Sequence, residues 1–325
     1  AILGATVDQI ESAIGLVVAH YIPFRAIRHG HQLSDSKGAS AAISSEVAVL
    51  SMRRAMRGFV GPADIIRNSQ AIFCLFEPQE RADVSPFDLT LGIEGDDFAV
   101  MGMHFKLGLY EHQSAGAIQG LINLIEAEPR LVDHPEQLQG VRILMYEPAF
   151  SIIGDPAKRD PRTRQSADHS MVYIVATLLR KAYEARCSGW DGQHGWQRLM
   201  LVPPDYAEDE SALFHPLTRQ LMNGIDLRHG GPEFDRRYPD GIPTSVELLH
   251  AELGERSSGM VMYPQGHARA DVSELPTLLD HKCRLLIGSA VDDIDALAAC
   301  FSNLSVKSAT DIERVYDFRI ANVTG

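Results

Sequence analysis

TSVELLHAELGERSSGMVMYPQGHAR, residues 244–269, is the stretch on which the fold class turns. Thr244 to Leu253 and Met260 to Tyr263 flank a polar, glycine-containing turn, the pattern of a β-hairpin. Downstream the chain returns to helix: Glu274 to Ile287, Asp292 to Leu304, and a short stretch from near Ala309. Upstream lie an apolar helix over Asp168 to Arg186, a strand-like run over Val141 to Ile153, and an amphipathic helix over Ser114 to Glu128. Phe98 to Tyr110 is rich in glycine, methionine and aromatic residues and has no clean period. The chain opens on helix: Thr6 and Gln9 have capping-box spacing, Ile10, Ile14, Val17 and Val18 follow, and Pro23 stops the run. After a polar connector, Arg25 to Lys37, a second helix over Ala39 to Arg57 ends at Gly58 and Gly61-Pro62. Helices, then a mixed segment, then helices again predict a mainly α protein with an inserted α+β domain, not an alternating parallel-sheet fold.

Composition narrows the partners. With 45% hydrophobic and 22% charged residues, the chain has the balance of a globular protein, and its apolar runs, such as Ile174 to Leu179, are too short to span a bilayer. A formal charge of −13 repels nucleic acid and anionic membranes, so neither is expected as a partner. In so acidic a chain, any cluster of cations has to be built deliberately. Cys74, Cys187, Cys283 and Cys300 are scattered without a C-x-x-C pair, which predicts reduced thiols in a cytoplasmic protein and no cysteine-held metal. No basic-then-apolar leader precedes the first helix, and a start at Ala1 rather than methionine suggests a trimmed beginning. Phosphate-loop, H-E-x-x-H and G-x-S-x-G patterns are missing, so nucleotide, zinc-protease and serine-hydrolase chemistry find no support.

Four segments carry candidate chemistry. Arg28 to Gly38 combines Arg28, His29, His31 and Lys37 with hydroxyls ahead of a helix start, a set that can hold carboxylates. Residue types alone favour a solvated loop there, and His29 with His31 lacks a third metal ligand. His104 to Ser114 places Lys106 six residues before His112: the lysine can neutralise a carboxylate and the histidine can move a proton. Its plain alternative is a capping segment with Ser114 as N-cap. Arg162 to Ser170, with Arg164 and His169, also leads into a helix; the alternative is a basic loop with Asp168 as the cap. Tyr263 to Arg269, with His267 and Arg269, is the fourth, or else a plain strand-to-helix connector.

Taken in order, these segments resemble the family of 2-methylcitrate dehydratase, cis-aconitate decarboxylase and iminodisuccinate epimerase. The resemblance rests on Arg28, His29 and Lys37 leading into an alanine-rich helix, on Phe105-Lys106 followed by Glu111 to Ala115, on Asp168 to Ala176, and on Tyr263 to Arg269. It covers nearly the whole chain and begins partway through the family's helical domain. That implies a cropped piece, a partner chain supplying the rest, or a degenerate relative. Around His112 the segment is compressed relative to the family pattern. The resemblance implies an all-helical domain plus a smaller lid-like α+β domain. The helical domain would comprise residues 1–95 and the C-terminal helices 269–325, with the lid over 96–268. It also implies an active site between these domains, a homodimer, and no metal or organic cofactor.

The implied reaction is dehydration of a small tricarboxylate, 2-methylcitrate or citrate, by proton abstraction beside a carboxylate. Fixed cations lower the barrier by stabilising the charge that develops there. Lys37, Lys106 and His112 are the expected catalytic residues; Arg28, His29, Arg164, His169, His267 and Arg269 are expected to bind substrate. Decarboxylation of cis-aconitate, epimerisation of a diacid, and a catalytically incomplete subunit are the competing readings. Similarity around Tyr263 to Arg269 favours the dehydratase.

Overall fold

The structure is a computed structural model and describes residues 3–21, 32–66, 68, 71 and 102–319. Arg28 and His29 lie outside the described residues. The chain divides into two compact units, residues 1–101 and 102–325.

In the first unit, α1 (Val7–Tyr21) packs along α2 (Asp35–Met56). The Thr6–Gln9 capping box forms in both directions, at 2.9 and 3.3 Å. The buried face of α1 is Ala13 and Leu16, while Ile14 is exposed. α2 begins four residues earlier than its alanine-rich stretch suggests, so Lys37 sits in its first turn rather than in the connector. Asp35 in that turn and Arg53 and Arg54 in the last turn complement the helix dipole.

The second unit holds α3 (Ala115–Ala127), β1 (Leu138–Met145), α4 (Glu147–Ile152), α5 (Arg164–Ala167), α6 (Met171–Cys187) and α7 (Gly195–Leu199). It continues through α8 (Pro216–Asn223), β2 (Ile225–His229), α9 (Pro232–Arg237), β3 (Thr244–His250) and β4 (Gly254–Val261). Its last helices are α10 (Leu275–Ile287), α11 (Ile294–Phe301) and α12 (Ala309–Glu313). The mixed sheet runs β2-β1-β3-β4, with β1–β2 parallel and the other pairings antiparallel. Residues 244–261 form a hairpin as expected, but its turn is 251–253, and the polar glycine-containing stretch expected as the turn belongs to β4. The strand-like run over 141–153 splits instead, because Pro148 occupies the first turn of a helix, where its missing N–H costs nothing.

The sheet turns Val141, Ile143 and Met145 of β1 and Val246 and Leu248 of β3 into the core, under α3 and beside α6. Burying one such side chain contributes about 1.5–3 kcal/mol. Gly116 allows α3 to lie close on the sheet, since a Cβ there would come within 2.5 Å of the Thr244 hydroxyl. On the other face Arg142 pairs with Glu247 at 2.6 Å. The described residues thus form a mainly helical protein with a small strand-bearing part, and none of their helices is long and apolar enough to cross a membrane.

Candidate functional site

Three of the four chemistry-bearing segments meet within the second unit. Residues 104–107 run beside the turn that follows β4, with the Phe105 N–H donating to the Gly266 carbonyl at 2.7 Å. Gly266 is required there: its φ is +87°, and a Cβ would stand 2.1 Å from the Phe105 oxygen. The Glu111 N–H donates to the Asp168 carbonyl at 2.8 Å, which joins the second segment to the third. Lys282 on α10 donates to the Lys106 carbonyl at 2.5 Å and ties down the same strand of chain.

At the junction three imidazoles gather. His104 stacks on His267 with ring centroids 4.0 Å apart and on His112 at 5.4 Å. Tyr263 lies against His267 at 4.9 Å. The Ala268 N–H donates to His104 Nδ1 at 3.0 Å, and the Arg269 N–H to His267 Nδ1 at 3.1 Å. Burial, with His104, His112 and Arg269 nearby, pushes His267 down from its ordinary 6.5 to about 4. Burial, followed by the fields of His104 and Lys106, lowers His112 as well. The preceding residue moves the opposite way. Burial raises the Glu111 carboxyl, against the opposing pull of the Gln113 N–H bond and of His169, Lys106 and Lys158. Glu111 caps the 3-10 turn His112–Ser114 by accepting from the Gln113 N–H at 2.7 Å. Ser114, the expected cap, makes no side-chain cap bond, and its buried hydroxyl has no partner among the described residues.

Lys106 is exposed, with Nζ 5.9 Å from the Tyr110 ring centroid, and its field reaches both Glu111 and His112. His169 is half-buried; its Nδ1 contacts the Asp168 carboxylate and lies 3.2 Å from the Gln165 carbonyl. The exposed Arg269 guanidinium faces Asp240 at 3.5 Å, with Tyr263 in its electrostatic surroundings. Arg164 is exposed at the start of α5, where its N–H donates to Glu208 at 2.7 Å. Ser170, not Asp168, caps α6. Lys37 is partly exposed in the first unit.

Sequence reasoning assigned no role to His104 or Glu111. His104 stands two residues before Lys106, but besides His112 its partners are His267 and Ala268, and no local spacing signals a contact that distant. Glu111 was visible only as a neighbour of His112. Among the described residues, no group of three or more His, Cys, Asp or Glu side chains is arranged to hold a metal ion. A cleft of about 260 Å³ nearby is lined by Gln119, Glu126, Gln193, Trp196, Gln265 and Glu274. Its two carboxylates would repel a multiply anionic acid, so the histidine stack is the better candidate. Compared with protein-family models and with curated proteins, the sequence matches none, and a functional reading rests on these residues and their geometry.

Proposed function

We propose that this chain is a lyase that dehydrates a small tricarboxylate, 2-methylcitrate or citrate, without a metal or organic cofactor. The observation that carries the reading is the opposed tuning of adjacent residues, Glu111 upward and His112 downward, with Lys106 in electrostatic reach of both. Burial favours the neutral form of each group, an imidazole that can take a proton and a carboxyl that can give one. His112, neutral near pH 7, takes the proton from the carbon beside a substrate carboxylate. The electron pair left behind spreads onto that carboxylate as an enediolate, next to the Lys106 ammonium. It then forms the C=C bond as the C–O bond breaks. Glu111 gives its proton to the departing hydroxide, so water leaves, and solvent later returns both residues to their starting protonation states. His169 and Arg269 serve as carboxylate anchors in this scheme, with Arg164, Arg28, His29 and Lys37 as further cations.

The proposal extends to the arrangement the sequence suggested: a helical domain of residues 1–95 and 269–325, an inserted lid over 96–268, and a cytoplasmic homodimer. Methylcitrate, citrate and cis-aconitate supplied to the protein, with products identified by NMR, test the activity. Unsaturated tricarboxylate should form from the first two, at a rate unchanged by chelator. Lys106→Ala and His112→Ala should each lower turnover by about 10²-fold or more while leaving the circular dichroism spectrum intact. Lys37→Ala in the same assay measures whether that lysine contributes at all. Itaconate from cis-aconitate would assign decarboxylation instead, and wild-type rates in Lys106→Ala would remove the lysine from the scheme.

A further inference from the structure

His104 and His267 share an unusual restraint. Two consecutive backbone amides, those of Ala268 and Arg269, donate to their Nδ1 atoms at 3.0 and 3.1 Å. A nitrogen that accepts such a bond carries no proton, so each neutral ring must keep its proton on Nε2. Both rings hang from the same turn and stack with centroids 4.0 Å apart and planes 30° from parallel. In an imidazole the two nitrogens point to nearly opposite sides. Each Nε2–H therefore points away from the amide that holds its own Nδ1, and among the described residues no protein group accepts from either.

The surroundings of His267 oppose its protonation. Protonation at Nδ1 would break an amide bond and set a positive charge against a stacked neighbour. Beside the pair are His112 and Arg269, with Tyr263 against His267 and Asp240 drawn off by Arg269. Burial and those neighbours hold His267 far below its usual range. A neutral N–H donor in a site of this kind can share its proton with an oxyanion without surrendering it.

We infer that His104 and His267 form a paired oxyanion site, in which the Nε2–H groups of the two stacked rings receive the oxygens of the enediolate formed on the substrate carboxylate. This rests on the proposed lyase chemistry for its substrate, but its geometry belongs to the resting protein. It makes His104 a catalytic residue and gives His267 a defined role as donor, separate from the base His112 and the cation Lys106.

The test uses the whole chain, 15N-labelled at histidine, together with the variants His104→Phe and His267→Phe, which keep a stacked ring and remove the donor. His104→Gln and His267→Gln place an amide N–H near the lost Nε2–H. At pH 7 the nitrogen shifts of both histidines should report the neutral Nε2–H tautomer. Each phenylalanine variant should lose about 10²-fold in kcat with KM changed by less than about threefold, as for removal of one oxyanion donor, and each glutamine variant should recover about tenfold. 3-Nitropropionate, at a pH where it is the nitronate, mimics an enediolate and should bind about 10²-fold more weakly to the phenylalanine variants, while succinate binding hardly changes. An Nδ1–H tautomer or an imidazolium at pH 7 in either ring overturns the pair, as does nitronate binding that is indifferent to the phenylalanine substitutions. Expected tautomers and nitronate discrimination without turnover of any tricarboxylate would leave the pair standing and refute the lyase reading.

Discussion

α2 and α6 are similar in length and opposite in character. Of the 22 residues of α2 only Ser51 and Ala55 are buried, whereas α6 buries 13 of its 17. α6 is rich in β-branched residues, Val172, Ile174, Val175 and Thr177, which are mediocre helix formers. Packing against the core makes it a helix. α2 relies on alanine, methionine, and charges placed to suit its dipole, while Ile43, Val49 and Leu50 stand in solvent. Helicity in the first unit is thus local, and in the second it is tertiary. The site chemistry assembles where the surroundings are rigid enough to hold a stacked imidazole to a fixed amide.

The sharpest way to break this contrast is truncation of one leucine in each region. Leu121 is fully buried in α3, and Leu121→Ala should cost about 3–4 kcal/mol, whereas Leu50→Ala on the open face of α2 should cost about 0.5 kcal/mol or less. Urea titration followed by circular dichroism reads both, and equal losses would mean that α2 is covered in solution.

Acid should act on the second region. His267 is about 4 in the folded protein against 6.5 ordinarily, so between those values the unfolded chain binds the proton more readily. Stability is full above pH 6.5 and declines as the pH falls toward 4, by something on the order of 2 kcal/mol from this residue, with His112 adding in the same direction. Glu111, raised rather than lowered, works against the trend. Both tryptophans, Trp190 and Trp196, lie in the second unit, so their fluorescence follows it selectively. The decline should be shallower in His267→Phe; identical slopes would deny His267 any part in it.

The smallest difference concerns caps. Ser170 accepts from the Tyr173 N–H at 3.4 Å, whereas Ser34 makes no side-chain cap bond to α2. Ser170→Ala should lose about 1 kcal/mol and Ser34→Ala no more than about 0.3 kcal/mol, measured by thermal melts. A larger loss at Ser34 would show that α2 depends on its start more than its geometry suggests.

Features governed by neighbours in sequence were legible. The Thr6–Gln9 box and the apolar run of α6 form as their patterns indicate, and a hairpin forms over 244–261 with its turn at 251–253, ahead of the polar stretch that suggested it. Where competing local choices existed, pattern chose incompletely: Ser114 stands at the N-cap of α3 without a side-chain bond while Glu111 caps the 3-10 turn before it, and Ser170 rather than Asp168 caps α6. β2 escaped notice because five residues, Ile225–His229, alternate too briefly, and their parallel partner β1 lies some 80 residues earlier. The site was half legible for the same reason. Lys106, His112 and His267 stood out as residue types, but stacking and amide restraints arise only from the tertiary fold.

The bond between Ala268 and His104 spans 164 residues. Closing so long a loop is among the last events in forming a domain. Neither imidazole acquires a fixed proton until the chain from 104 to 269 has folded around it. Chemical competence is therefore a property of finished molecules: a nascent or truncated product ending before residue 267 would keep His104 and His112 but lack both His267 and the amide that fixes His104.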